Sequence, residues 1–186
     1  MARISERSLI IGVDSFGKTF PVLLDEKGRV IVDTKSKSIN KVWTPIVSTS
    51  PAYTAADAFG AKFELTNVFS AIGHGSYLKN LIVTDKGKQN AALDVVFFNA
   101  SPTNTTVTDN GALTIHDTDL LTIVGRATVA VTDYTSFADN SEATIEKTLG
   151  VLSDLSTSLW VIGVIRGTPT YVSTSDLQLR FVFLQD

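Results

Sequence analysis

The chain has 186 residues, 44% of them hydrophobic, and its sixteen basic residues stand against nineteen acidic ones for a formal charge of -3. That length suits one domain with a sizeable core plus an arm, and the weak charge, with no long block of either sign, argues against nucleic acid as a partner. The absence of cysteine removes disulfides, thiolate metal sites and cysteine nucleophiles together. No run approaches the roughly twenty apolar residues of a membrane helix, so neither a signal peptide nor a membrane span is expected.

Residues 1–19 mix charges, short apolar groups, Gly12 and Gly17 without periodicity and read as an arm. Phe20–Leu24 and Arg29–Val32 form two short β-type runs around Asp25-Glu26-Lys27-Gly28, a plausible hairpin turn. The polar segment Thr34–Asn40 reads as a linker carrying Lys35 and Lys37, with Lys41 just beyond it. The expected organisation is therefore residues 1–41 as arm and hairpin and residues 42–186 as a β domain.

The domain opens with Val42, Trp43, Ile46 and Val47, interrupted by Pro45. Ala55-Ala56-Asp57 and Gly60 predict a tight turn before a strand in which Ala61, Phe63 and Leu65 share a face. After the bend at Gly73 and Gly75, Tyr77–Val83 is a strand stopped by Asp85-Lys86-Gly87. Ala91–Phe98 follows, with Leu93, Val95 and Phe97 on one side and Asp94, Val96 and Phe98 on the other. Residues 99–110 are almost all turn formers, and 113–119 has room for one helical turn led into by Thr114 or capped by Asp117.

Leu121–Val131 is the longest clear alternating run. Gly125 and Ala127 are small where core residues should be large, which predicts the close approach of Trp160 or another large side chain of the opposite layer, or a bend in the sheet. Ala143–Leu152 is a weak strand or helical piece. The chain closes with Leu159–Ile165 and Leu177–Gln185 around Gly167-Thr168-Pro169-Thr170-Tyr171. Leu177, Leu179, Phe181 and Phe183 alternate as a buried face, while Val182 and Leu184 make the other face apolar and predict a cover of some kind. Some eight strands without a long amphipathic helix or internal repeat give an all-β class: an antiparallel β-sandwich or jelly roll with an extended N-terminal arm.

Chemistry is sparse. His74 and His116, the only histidines, lack ligand spacing, and Gly73-His74-Gly75-Ser76 is no nucleophile elbow. Glu64, Asp94 and Asp133 could pair for sugar hydrolysis only if the fold joined them. Asp139, Glu142 and Glu146 match no ordered calcium loop. Trp43, Tyr53, Tyr77, Tyr134 and Tyr171 could form a sugar platform, with Tyr134 or Tyr171 on exposed loops, although core packing explains most of them. No catalytic, cofactor-binding or metal-binding residue is assigned, no cofactor is expected, and the chain reads as noncatalytic.

The order of three segments carries a resemblance. PAYTAADAFG holds Tyr53, Asp57 and Gly60. LIVTDKGKQNAALDVVFFNASPTNTTVTDNGAL holds Asp85, Leu93, Phe97, Phe98, Pro102, Thr105 and Asp109. LWVIGVIRGTPTYVSTSDLQLRFVF holds Gly167, Thr168, Pro169, Thr170, Asp176 and Leu177. Together, over about residues 42–184, they resemble structural proteins of tailed-bacteriophage virions, most of all capsid decoration or head auxiliary proteins. The resemblance implies a noncatalytic protein that stabilises a capsid from its outer surface. It implies the major capsid protein as partner, a homotrimer, no nucleic acid or membrane contact, and synthesis in the host cytoplasm. A carbohydrate-binding, tail or head-fibre component of the virion is the alternative.

Overall fold

The computed structural model describes residues 9–13, 19–23, 37–152 and 156–185, in two compact units that divide between Lys35 and Ser36. In the first, β1 (Leu9–Val13) pairs antiparallel with β2 (Thr19–Leu23), Ile11 facing Pro21. The strand expected at Phe20–Leu24 is therefore present, but its partner is a segment whose sequence shows no alternation. Arg29–Val32 lies outside the described residues.

The second unit is an all-β sandwich. Its strands are β3 (Lys37–Trp43), β4 (Asp57–Leu65), β5 (Gly75–Asp85), β6 (Leu93–Phe98), β7 (Gly111–Ala112), β8 (Ile123–Val129), β9 (Tyr134–Ser136), β10 (Ser141–Leu152), β11 (Leu159–Ile165) and β12 (Leu177–Gln185), with one helical turn, α1 (Asp117–Leu120). Sheet I runs β3-β12-β5-β10-β9 and sheet II runs β7-β4-β11-β6-β8. All the pairs are antiparallel and nested: β3 with β12, β4 with β11, β5 with β10, β6 with β8. A long folded-over hairpin whose successive pairs alternate between two sheets is jelly-roll connectivity; β7 and β9 widen it at the edges.

Between the sheets, Leu177, Leu179, Phe181 and Phe183 of β12 are wholly buried with Leu93, Val95 and Phe97 of β6. Phe97 meets Phe181 edge-on with ring centroids 5.9 Å apart. Trp43 stacks on Phe59 and Phe63 at 5.4 and 5.7 Å. Two glycines admit this packing. A Cβ on Gly163 would lie 2.1 Å from Phe59 Cζ, and one on Gly125 would lie 2.5 Å from Leu149 Cδ1. The large side chain approaching β8 is thus Leu149 from the opposite sheet, whereas Trp160 is half-buried on the far side of sheet II.

Several expectations need correction. Lys37–Asn40, read as linker, belongs to β3, and the boundary between units falls after Lys35. β3 is an edge strand in register with β12 through Lys41↔Phe181 and Trp43↔Leu179, which puts Lys41 on the inward side. A charge turned inward at an edge discourages further strand pairing. Ala61 is exposed, because Gly60 adopts φ +65° and β4 takes four steps from Phe59 to Phe63 where β11 takes two from Gly163 to Val161; the resulting bulge breaks the alternation. β8 stops short of Leu121 and Val131, which are 87% and 59% exposed. Thr122 closes the α1 turn through the Asp119 carbonyl at 2.8 Å, and Asp133 Oδ2 accepts the Ala130 N–H at 2.7 Å. The longest strand is instead β10, twelve residues long.

Candidate functional site

The chemically suggestive residues scatter. His74 is exposed on the β4–β5 connection with Nδ1 2.8 Å from Ser70 Oγ. His116 caps α1, its Nδ1 accepting from Thr118 N at 3.3 Å; neither Thr114 nor Asp117 is the cap. Ser76 of the Gly-His-Gly-Ser run is buried, donating to the Leu184 carbonyl at 3.2 Å. Glu64 and Asp94 are in register with Trp160 and Val164 on either side of β11, about 13 Å apart along the strand direction and too far for a carboxylate pair. Asp94 is committed to Arg166 Nε at 2.7 Å and Thr128 Oγ1 at 2.6 Å, and Asp133 is the cap just described. Asp139 lies in the β9–β10 turn and Glu142 and Glu146 along β10, so they enclose no loop site. Among the described residues no three His, Cys, Asp or Glu side chains gather for a metal.

The proposed aromatic platform dissolves into packing. Trp43, Tyr53 and Tyr171 are at most 4% exposed, with Tyr53 edge-on to Tyr171 at 5.9 Å; Tyr171 is therefore not on an exposed loop surface. Tyr134 is half-buried and donates to the Ala91 carbonyl at 3.0 Å. Tyr77 alone of the five is strongly exposed, at 46%.

Tyr77 belongs to the first of two surfaces with distinct character. The outer face of sheet I carries Val42, Ile82, Val182, Leu184 and Tyr77, with Leu184 directly beside Tyr77 and Arg180 in register with both Val42 and Ile82. Val42 is 51% exposed; Arg180 lies between Val42 and Ile82, Val182 lies between Asn40 and Asn80, and the pair Gln178↔Thr84 borders them at one end. Nothing in the described part of the chain folds across this face. The expected second apolar face of β12 is thus real, and it opens outward.

The outer face of sheet II is closed. Val96, Phe98, Ile162 and Val164 form a second core there, covered by Val107, Leu113 and Ile115 of the long excursion between β6 and β8. In the excursion Thr105, Val107, Leu113 and Ile115 turn inward, while Asn104, Thr106, Thr108, Thr114 and His116 are exposed. These exposed residues, with Ala112, line an open polar cleft of about 360 Å³. The excursion is fastened along β4: Lys62 Nζ donates to the Pro102 carbonyl at 2.9 Å, and Gly60 N to Asp109 Oδ1 at 2.7 Å. Leu113 N donates to the Ala56 carbonyl at 2.9 Å. Asp109 Oδ1 also accepts the Tyr53 hydroxyl at 2.5 Å; burial, then that hydrogen bond, pushes the Tyr53 phenol well above its ordinary range. Asp119 Oδ2 accepts from Thr105 Oγ1 at 2.7 Å. Its burial acts upward, but the bonds from Thr105 and Asn104 outweigh it and hold the carboxyl below the ordinary range.

At one end of the sandwich four connections meet. Val47 N donates to the Thr174 carbonyl at 3.0 Å, Tyr53 N to Pro169 at 3.0 Å and Lys86 N to Asp176 at 2.8 Å. Lys88 Nζ reaches the Phe137 carbonyl at 2.7 Å. Pro169 accepts one of these bonds and Tyr171 is buried beside Tyr53, while Arg166 of the same connection donates its N–H to the Ala92 carbonyl and its Nε to Asp94. Inside this end Asp85 is fully buried. Desolvation raises its carboxyl above the usual range despite backbone N–H groups of Asn90, Gln89 and Gly87, and the nearby Asp176 adds to the rise.

No protein-family model matches the chain, and no curated protein matches it.

Proposed function

We propose that this chain is a noncatalytic structural protein of a tailed-bacteriophage virion, a capsid decoration protein whose β domain docks on the outer shell. The observation that carries the reading is the open outer face of sheet I. Its Val42, Ile82, Val182, Leu184 and Tyr77, interspersed with Arg180, Asn40 and Asn80, make the mixed apolar and polar surface that non-obligate protein interfaces use. The segment order described for the sequence supplies the capsid as partner. Persistent attachment would come from several copies engaging a lattice together, and a homotrimer is the number that the resemblance to head decoration proteins implies. The arm before β3 would add contacts of its own.

The test is occupancy on purified capsids that lack the protein. Val182→Asp combined with Leu184→Asp should lower occupancy at limiting concentration by at least tenfold while the isolated protein stays folded. Unchanged occupancy would remove the face from the proposal. Deletion of residues 1–34 in parallel separates the arm's contribution, and sedimentation equilibrium reads the subunit number.

The polar cleft over sheet II favours a second reading, a glycan-binding or fibre component of the virion. Threonine hydroxyls, Asn104 and His116 offer mixed donors and acceptors to a polyol. A glycan array without signal at high protein concentration would dismiss it.

A further inference from the structure

The four-loop end holds oxygen atoms that have no protein partner. Asp85, the last residue of β5, has no exposed surface; its Oδ2 accepts the Asn90 N–H at 2.8 Å, while Oδ1 is buried and unbonded. Three neutral oxygens share that condition: Asn90 Oδ1, Ser141 Oγ and Tyr171 Oη. All three residues belong to the surroundings of Asp85 or Asp176. Ser141 faces Asp85 directly across the β5–β10 pairing, Asn90 is bonded to it, and Tyr171 directly precedes Val172, whose N–H is bonded to Asp176. Ser141 and Tyr171 are each 1% exposed.

A second carboxylate lies beside them. Asp176, 8% exposed, accepts the N–H groups of Val172 and Ser173 on Oδ2 at 3.0 and 2.8 Å. Gly87 stands between the two acids and leaves room there. A Cβ at that position would lie 3.2 Å from Asp176 Oδ2 and 3.6 Å from Asp85 Oδ1. The nearby lysines turn elsewhere, Lys86 Nζ to the Ser175 carbonyl at 3.2 Å and Lys88 Nζ to Phe137 and Ala138 at 2.7 and 3.3 Å. Among the described residues the ion pairs are those of Asp94 with Arg126 and Arg166. Two close buried carboxylates without a countercharge cost stability unless a proton or a cation joins them.

We propose that this cluster of buried oxygens is a calcium site, with Asp85 and Asp176 as charged ligands and neutral oxygens drawn from Asn90, Ser141 and Tyr171. Every donor is a hard oxygen, the chemistry calcium prefers, and the irregular set suits an ion that accepts six to eight ligands in flexible geometry better than magnesium, which demands a near-ideal octahedron. The ion would fasten the β5–β6 turn, the start of β10 and the β11–β12 connection to one another. A buried water could satisfy the hydroxyls but would leave the two acids uncompensated.

The experiment uses the full chain stripped with a chelator, then titrated with calcium chloride or magnesium chloride during thermal unfolding. Calcium at about a hundredfold excess over its Kd should raise Tm by about 5–10 °C, and magnesium at the same concentration by much less. Terbium, standing in for calcium, should give luminescence excited through Tyr171 and quenched by added calcium. Asp85→Asn and Asp176→Asn should each abolish the calcium shift while keeping the wild-type far-ultraviolet dichroism in chelator. A wild-type Tm identical in calcium and in chelator would overturn the site whatever the variants do. So would a calcium shift of full size in either folded variant, or an equal magnesium response. The proposal does not rest on attachment to a capsid, so its failure leaves that reading standing.

Discussion

The two outer faces of the sandwich begin from similar sequences and end differently. β6 and β11 carry Val96, Phe98, Ile162 and Val164 outward, and the chain spends residues 99–122 covering them. β12 carries Val182 and Leu184 outward beside Val42 and Tyr77, and the described chain supplies no comparable layer. An apolar outward residue therefore has two meanings in this fold, a second core or an open face. What separates them is the length of the neighbouring connection and whether it is tied down.

The comparison breaks first if the sealed face is not a true core. Phe98→Ala should destabilise the domain by about 3–5 kcal/mol, as much as Phe181→Ala between the sheets, because both rings are wholly buried. Chemical denaturation reads both, and a loss below about 1 kcal/mol for Phe98 would show a loose cover.

Removing the fastening should matter next. Asp109→Ala strands the Tyr53 hydroxyl and the Gly60 N–H and should cost about 1–3 kcal/mol. Hydrogen exchange should quicken over 99–116 and leave β12 unaltered. Acid should act more mildly at the same place. The Asp119 carboxyl is held below its unfolded value, so its contribution is present above the ordinary carboxylate range and fades as pH falls through the lowered folded-state pKa. Asp119→Asn should flatten that acid limb in a pH series of unfolding midpoints. The smallest effect belongs to the open face: Val182→Ser and Leu184→Ser should each alter stability by less than about 1 kcal/mol. A larger loss in the isolated protein would mean that something of this chain already covers them.

The sandwich class was legible because β6 and β12 each place one apolar set on a single face, Leu93, Val95 and Phe97 or Phe181 and Phe183, although their other faces are partly apolar as well. β10 was hard to read, and its register slips between Glu146 and Leu149. The inward set Ala143, Ile145, Leu149, Val151 keeps period two, but the charged Lys147 stands at its middle position and interrupts the apolar signal on which strand reading depends. β5 suffers a similar slip, passing from Asn80 to Leu78 where β12 passes from Val182 to Phe183. The space beside Gly125 was legible from residue size alone; its occupant, Leu149, depends on facing sheets that no local pattern records.

For the candidate sites the sequence was less informative. Asp85 reads as a turn former, yet it is wholly buried; Asp109 is committed to Tyr53 and Gly60 over long separations, Asp119 to Thr105, and Asp176 to its near neighbours Val172 and Ser173. The spacing of Asn104, Thr106 and Thr108 against Thr114 and His116 does contain the alternation that lifts them to the surface of the excursion. A loop composition of threonine, asparagine and proline hid it.

The nested pairing also dictates an order of events during synthesis. β12 lies between β3 and β5 in sheet I, although both emerge from the ribosome long before it. Until β12 is made, those strands face a vacant slot and cannot complete a ladder, and Phe97 lacks the ring of Phe181 against which it rests. Non-local closure of this kind is slow and leaves unpaired edges in the interval. Lys41, turned inward on β3, already serves as a guard during that wait: its charge makes the incomplete edge a poor template for a neighbouring nascent chain.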